Sequence, residues 1–334
     1  MMPAFGFGLL LSVWVAVAAQ ALPSRLERVT LFGNEYVRLD HWAAANGFKF
    51  EWIVRNRELR LTTSGTNLRF EADSPRMLFN GIAVHLAAPV AVRNGLAFVS
   101  PVDVTSTLEP LLFPVRQNRK ITSICLDPGH GGKDPGHLAG KEREKKYTLL
   151  LARELGDQLA KAGCKVSYTR TTDTFIDLGS RAEFAQKRGA DLFVSLHFNS
   201  ADGPGGDAVK GVEVYCMTPA HSSSTNARGE GSATGAYGGN RFDTKNVLLA
   251  YQVHKTLVTK LGLEDRGVRR ARFAVLRTAE MPAILIESGF LSNRTESKRI
   301  YDPKYRRQLA EAIVQGIQEY KRVIVRDQPA SLNP

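Results

Sequence analysis

Three apolar stretches of this sequence end in side chains that can bind a metal or transfer a proton. They lead to His130, His197 and Glu287. Short apolar runs bounded by glycine and proline predict buried β-strands. Because open α/β sheets bind their ligands at the carboxyl ends of the strands, these three side chains are expected to meet at one edge of one sheet.

The loop that carries His130 has an unusual composition. It reads Pro128-Gly129-His130-Gly131-Gly132. Proline ends the hydrogen-bonded ladder, and the glycines allow a tight turn and a close approach to a bound group. We therefore expect His130 to be exposed just beyond the end of its strand.

Two imidazoles and a carboxylate with an open fourth position form a donor set typical of catalytic zinc. The third donor is expected at the start of the helix that follows the His130 loop. Glu142 and Glu144 both lie there, and a helix N-terminus favours either carboxylate; His137 is a further alternative. Glu287 is placed to take a proton from the attacking water and pass it to a leaving amine.

Each of these residues also has a structural interpretation. A single histidine at a strand end is more often hydrogen-bonded than metal-bound. Glu287 could be the ion-pair partner of Arg170 or Arg181. His221 and His254 are expected to be solvated.

The elements that position these side chains alternate between strand and helix patterns from Ile121 onward. This alternation predicts an α/β fold with a mostly parallel sheet flanked by helices. Residues 145–162 predict a helix with Leu151, Leu155 and Leu159 on one face. We place this domain at 118–322, followed by a flexible tail at 323–334.

Residues 22–117 predict a small β-rich accessory domain. Asn80-Gly81 and Asn94-Gly95 separate short apolar runs and predict hairpin turns. The order of its elements resembles the domain known from the N-termini of copper amine oxidases. Copper is not implied, because His41 and His85 alone are too few ligands.

Residues 1–21 predict a secretory signal peptide. They are apolar from Phe5 to Ala19 and end in the small-x-small pattern Ala19-Gln20-Ala21. No Lys or Arg precedes the apolar run, so an uncleaved membrane anchor stays open as an alternative. No later segment reaches the roughly 18 apolar residues that a membrane span needs.

The basic composition fits association with an acidic polymer such as a cell wall or nucleic acid, and solubility alone would also explain it. The formal net charge is +12, without a dense basic block. The three cysteines are too few and too scattered for a disulfide framework, and we expect Cys125, Cys164 and Cys216 to be buried.

Several ordered motifs resemble one family, the zinc-dependent N-acetylmuramoyl-L-alanine amidases called amidase-3, along roughly 121–320. The matching motifs are Leu126-Asp127-Pro128-Gly129-His130-Gly131-Gly132, Arg143-Glu144-Lys145-Lys146, Thr169-Arg170 with Asp173 and Arg181, Ala190–Ser200, Arg266-Gly267-Val268 and Met281–Asn293. Phe198 departs from the family, which commonly has a small residue there, and is expected to reshape the cleft beside the metal.

The resemblance implies one zinc ion on His130, Glu144 and His197, with Glu287 catalytic. It thereby selects Glu144 over Glu142. It also implies hydrolysis of the amide between the lactyl group of muramic acid and L-alanine in peptidoglycan. Some members carry a helix that plugs the site where this chain has the loop 219–239; here we expect no such helix, with Glu230 left as an alternative extra ligand.

Further expectations follow from this family. We expect an exported protein of the periplasm, cell wall or extracellular space that binds peptidoglycan and not nucleic acid, with no stable membrane insertion after signal cleavage. The accessory domain is expected to bind the wall or a protein partner. Arg269, Arg270 and Arg272 are interpreted either as a solvated surface or as a cradle for acidic stem-peptide groups.

Other classes fit less well. The spacing around Gly129–Gly136 matches neither phosphate-binding glycine motif, and no Gly-x-Ser-x-Gly elbow is present. A zinc metallopeptidase of other specificity and a non-catalytic wall-binding protein remain the alternatives.

Overall fold

A computed structural model describes residues 28–225 and 235–325. The predicted signal peptide, Glu230 and residues 326–334 of the predicted tail lie outside these residues. No helix within the described ranges has the length and apolar character to cross a membrane.

The accessory part contains short antiparallel strands and small helices, as the hairpin signals predict. Both Asn-Gly pairs occupy left-handed turns, with φ of 48° at Asn80 and 52° at Asn94. The elements are β1 (Arg28–Leu31), β2 (Asn34–Arg38), α1 (Leu39–Ala45), β3 (Lys49–Val54), β4 (Glu58–Thr62), β5 (Asn67–Glu71), β6 (Arg76–Phe79), β7 (Ile82–His85), β8 (Ala91–Arg93), β9 (Leu96–Val99), α2 (Pro101–Asp103), a π-helical turn (Val104–Leu108) and α3 (Glu109–Leu112).

The larger part alternates strands and helices, which confirms the predicted α/β fold. Its elements are β10 (Ser123–Pro128), β11 (Leu138–Ala139), β12 (Glu142–Arg143), α4 (Glu144–Lys161), β13 (Lys165–Tyr168), α5 (Leu178–Lys187), β14 (Leu192–Asn199), β15 (Val212–Met217), α6 (Asp243–Leu261), β16 (Asp265–Ala271), α7 (Ala274–Arg277), β17 (Ala283–Phe290), α8 (Arg294–Tyr301) and α9 (Pro303–Ile324). The sheet order is β13-β10-β14-β17-β15-β16, and every neighbouring pair is parallel except β15 with β17.

Helices cover both faces of this sheet. On one face α4 buries Leu151, Leu155 and Leu159, the stripe that the leucine spacing predicts. Helices α6 and α9 pack on the same side; a Cβ at Gly316 of α9 would lie 2.5 Å from the Cα of Val253 in α6, so only glycine permits this approach. The other face carries α5 and α7 over a smaller apolar cluster.

The accessory strands continue the larger sheet. Strand β7 pairs in parallel with β16 at Val84 and Val268, which produces a single sheet of eleven strands. The backbone N–H of Ala83 also donates to the Asp265 carboxylate at 2.8 Å. One apolar cluster contains residues of both parts, so the two predicted domains share a core.

His254 differs from the sequence-based expectation. It is fully buried and its Nε2 lies 2.7 Å from Asp265, so the prediction of a solvated histidine is wrong. All three cysteines are free and buried, as predicted.

Arg270 is also fully buried, and it connects the two parts. Its guanidinium donates to the Ser106 carbonyl at 3.0 Å and to the Thr107 hydroxyl at 2.8 Å. The same hydroxyl donates to buried Asp103, whose pKa burial raises to about 6. Arg270 is therefore neither a solvated surface residue nor part of a ligand cradle.

We expect Arg270→Met to destabilise the whole chain by roughly 3 kcal/mol, because it leaves buried acceptors unpaired and removes the cation near a buried carboxylate. The matched control is Arg28→Met, which removes an ion pair whose side chains are 61% and 60% exposed and should cost less than about 1 kcal/mol.

The measurement is urea denaturation of protein lacking residues 1–21, followed by two probes. The remaining tryptophans, Trp42 and Trp52, both lie in the accessory part, whereas far-ultraviolet circular dichroism reports mainly the helices of the larger part. Coincident transitions that shift together are expected. Two separate transitions, with only one sensitive to Arg270→Met, would contradict a shared core.

Candidate metal centre

The site lies where the carboxyl ends of β10, β14 and β17 meet. His197 of β14 and Glu287 of β17 occupy paired positions in the parallel ladder. His130 follows β10, and its ring centroid lies 4.8 Å from that of His197. The prediction that these strand ends share one edge is confirmed.

The His130 loop is held by its carbonyl oxygens. Arg170 donates to the carbonyls of Pro128 and Gly129, and Arg181 donates to those of Pro128 and His130. Arg181 also pairs with buried Asp127 at 2.8 Å. The two arginines therefore position the loop, and within the described residues neither forms an ion pair or hydrogen bond with Glu287.

The loop backbone adopts a conformation that side chains rarely take. His130 has a φ of +61°, in the left-handed region, where a non-glycine residue costs energy and often marks a functional site. A Cβ at Gly129 would lie 2.3 Å from the His197 ring. Glycine at 129 is thus required for the two imidazoles to approach each other.

Glu144 begins α4 and lies between the two imidazoles. Its Oε1 is 3.0 Å from Nε2 of His130 and 3.1 Å from Nδ1 of His197. Backbone N–H groups of His137 and Phe198 also donate to this carboxylate. Burial raises the pKa of Glu144, but the hydrogen bonds and charges of both histidines outweigh it and hold the pKa well below its usual range.

The alternatives to Glu144 lie elsewhere. Glu142 accepts hydrogen bonds from Lys146 and Tyr147, and it does not belong to the donor cluster. His137 contributes its backbone to Glu144, and its ring does not belong to the donor cluster. Phe198 is 1% exposed, and its side chain packs in the apolar core.

Asp134 completes the surroundings of His130, and sequence reasoning missed it. Its Oδ2 lies 2.9 Å from Nδ1 of His130, which leaves Nε2 directed at Glu144. Burial lowers the pKa of His130, but Glu144 and Asp134 together raise it above the usual value. A carboxylate on the second nitrogen commonly fixes the tautomer of a metal-binding histidine; the available signal was the short spacing from His130 within the loop.

The donor set fits a zinc ion. One ligand atom from each of His130, Glu144 and His197 lies within 4.8 Å of the others. Two nitrogens and one carboxylate oxygen are ligands that zinc prefers, with a fourth position free for water or substrate.

Glu287 lies beside these donors with an unused oxygen. Its Oε2 is buried and has no hydrogen-bond partner among the described residues. Burial, followed by the charges of Glu144 and Glu213, raises the pKa of Glu287 well above its usual value. A buried acceptor without a partner is costly unless a bound group supplies one, so this atom also fits a site that holds metal and water.

A family model described as Amidase_3, N-acetylmuramoyl-L-alanine amidase, matches residues 124–319, more than half of the chain. The chain belongs to this amidase family. The match includes all four site residues and begins beyond the accessory strands.

Relatives and solved structures agree with this family. The chain is 37% identical over 274 residues to the N-acetylmuramoyl-L-alanine amidase AmiC of Neisseria meningitidis, covering 75% of this chain and 62% of that protein. An amidase structure from Clostridium difficile 630 superposes with a TM-score of 0.50 at 36% identity, covering 60% of this chain and 97% of the other. AmiC2 of Nostoc punctiforme gives 0.51 at 32% identity, covering 62% and 99%.

We expect Glu144→Gln to lower zinc affinity more than the ~10–100-fold typical of losing a supporting residue, because it removes an anionic ligand. Glu142→Gln is the matched control, since it makes the same change two residues away and should keep the metal. Zinc per chain is measured by elemental analysis after dialysis against a competing chelator. Equal zinc in the two variants would remove Glu144 from the ligand set.

Proposed function

We propose that this protein is a zinc-dependent peptidoglycan hydrolase. It cleaves the amide between the lactyl group of N-acetylmuramic acid and L-alanine of the stem peptide, using one zinc ion on His130, Glu144 and His197. The observation that carries this proposal is the buried, unpartnered Oε2 of Glu287, on the strand position paired with that of the donor His197. Membership in the amidase family supports the choice of substrate.

The chain's own residues supply binding, orientation and proton transfer. When bound, zinc would polarise the amide carbonyl and lower the pKa of a water ligand toward ~7. Glu287 accepts the proton of the attacking water and delivers it to the leaving alanine nitrogen. Burial suits Glu287 to this task, since a carboxylate with a raised pKa is a stronger base and, once protonated, is still able to donate.

Asp134, Arg170 and Arg181 act through His130. Asp134 binds Nδ1, and the arginines hold the loop carbonyls, so the imidazole keeps one orientation without a change of backbone at the moment of reaction. This fixed geometry keeps the amide and Glu287 in place relative to each other.

Export agrees with this substrate. We propose that the protein acts outside the cytoplasm, in the periplasm or cell wall, after residues 1–21 direct its secretion. The net charge of +12 favours association with an acidic wall.

We expect Glu287→Gln to lower release of stem peptides from purified peptidoglycan by at least about 100-fold, because a positioned acid–base group contributes roughly 10²–10⁴-fold. Zinc content should stay at the wild-type value, because Glu287 is not a ligand. Release is quantified by chromatography of the soluble products.

The controls separate the alternative functions. An active wild type that cleaves ordinary peptides and leaves peptidoglycan intact would indicate a metallopeptidase of other specificity. Wild-type protein that sediments with the wall and releases nothing would indicate a non-catalytic binder. Undiminished release by Glu287→Gln would refute the role of Glu287.

We further propose that the accessory part binds the wall through the β1–β2 turn. Phe32 is 77% exposed at this turn and has a φ of +52°. The corresponding turn positions of two other hairpins are Asn80 and Asn94, which tolerate this conformation better than phenylalanine. The chain therefore has an exposed aromatic residue with a strained backbone at a turn position where asparagine would be more stable. The face of an aromatic ring is suited to stacking on sugar rings.

We expect Phe32→Asn to raise the free energy of unfolding by about 1 kcal/mol through relief of strain and to weaken sedimentation with purified wall several-fold. Both proteins carry Glu287→Gln so that the wall stays intact. Val115→Asn is the control, because Val115 is an 83% exposed apolar side chain away from the turn. Unchanged sedimentation of the stabilised Phe32→Asn variant would rule out this turn.

A further inference from the structure

A row of charged side chains on neighbouring strands begins at the metal donors and crosses the sheet. Glu287 of β17 is paired with His197 of β14 on one side and with Glu213 of β15 on the other. Beyond Glu213 lies β16, which supplies Arg266 and Arg269. Paired positions on adjacent strands direct their side chains to the same face of the sheet, so this row extends from the metal donors to the two arginines.

Glu213 is a buried carboxylate whose negative charge is paired with two arginine side chains. It is 3% exposed and accepts hydrogen bonds from Asn199 at 3.0 Å and Tyr215 at 2.8 Å. Nε of Arg266 lies 2.7 Å from its Oε1, and Nε of Arg269 lies 3.4 Å from the same oxygen. One carboxylate therefore holds two guanidinium groups.

The two arginines keep hydrogen-bonding capacity and net charge. Each donates from its Nε atom, and in the described part of the chain neither donates a hydrogen bond from its terminal Nη atoms. Their side chains are 27% and 21% exposed. The guanidinium of Arg266 is also fixed above the Phe290 ring, 5.1 Å from its centroid.

The neighbouring arginines are committed to the fold. Arg270 binds the accessory part, as described above. Arg272 is 6% exposed and donates to the carbonyls of Pro219 and Ser222. Of the three arginines that the sequence offered as an anion cradle, Arg269 is partly exposed whereas Arg270 and Arg272 are buried. Arg266 lies next to Arg269 on the same carboxylate.

The distance from the reacting bond fits one residue of a bound peptide. Strand β16 lies two strands from β17, which carries Glu287, and three strands from β14, which carries His197, so the backbones are roughly 10 Å and roughly 14 Å apart. Both guanidinium groups lie on Glu213 of β15, one strand from β17, and this shortens the span. Two peptide residues extend about 7 Å. A group on the residue that follows the alanine can therefore reach the arginines while the alanine amide lies at the metal donors.

We propose that Arg266 and Arg269 bind a free carboxylate on the stem-peptide residue that follows L-alanine, and so select substrates in which this group is not amidated. This inference rests on the proposed amidase function. Arginine binds carboxylates through paired N–H groups, and fixing its Nε on Glu213 orients the remaining donors. The amide form of the same group would lose the charge and would replace one of the two acceptor oxygens with an NH2 group, which cannot accept from a guanidinium.

The test uses two synthetic muramoyl tripeptides, L-Ala–γ-D-Glu–L-Lys, with the α-carboxylate of glutamate either free or converted to the amide. Zinc-loaded full-length protein should cleave the free acid with a kcat/KM about tenfold higher, mainly through KM. Arg269→Gln should abolish this preference, and Arg269→Lys should keep part of it. Arg307→Gln, an exposed arginine on α9, is the control for loss of one charge and should keep the full preference.

The outcomes are distinct. If the wild type cleaves both substrates equally, the inference fails and the amidase function stands. If Arg269→Gln lowers both rates by the same factor, Arg269 is merely structural and the inference also fails. If the wild type cleaves neither substrate, the proposed function fails together with the inference.

Discussion

A buried carboxylate shared by two imidazoles is the interaction on which the site depends. Glu144 lies within 3.1 Å of both His130 and His197 and is 5% exposed. A buried charge is costly unless it is paired and hydrogen-bonded, and here two histidines and two backbone N–H groups supply the partners. The helix start at α4, the glycine at 129 and the arginine-held loop all serve to bring these groups within reach of one another.

The sequence could predict this site because its main determinants are local. Apolar runs that stop at His130, His197 and Glu287 predict strand ends, and parallel strand ends share an edge. Spacing could not choose between Glu142 and Glu144, because both lie at the start of the same helix. The structure decides, since α4 begins at Glu144 and Glu142 lies in the preceding strand β12. Asp134 and Glu213 were missed because their roles depend on a left-handed loop conformation and on an antiparallel register that no local pattern displays.

The sequence did not predict that the accessory part and the larger part share one sheet. This pairing too depends on contacts between residues far apart in the chain. Short strands with Asn-Gly turns correctly predicted a small β domain, but nothing in them shows which edge finds a partner. The partner is β16, and the contact from His85 to the Val268 carbonyl joins residues 183 positions apart. Contacts between distant parts of the chain also bury Arg270, for which the sequence offered a solvated surface or a ligand cradle, and His254, which was expected to be solvated.

Because β7 pairs with β16, the shared sheet cannot be completed until late in synthesis of the chain. When β7 emerges from the ribosome, the strand that will cover its outer edge has not yet been made, and an uncovered edge is a template for aggregation. The accessory strands must therefore wait for nearly the whole polypeptide before their sheet is complete. A protein arranged in this way depends on whatever holds its early half apart from other chains until β16 arrives.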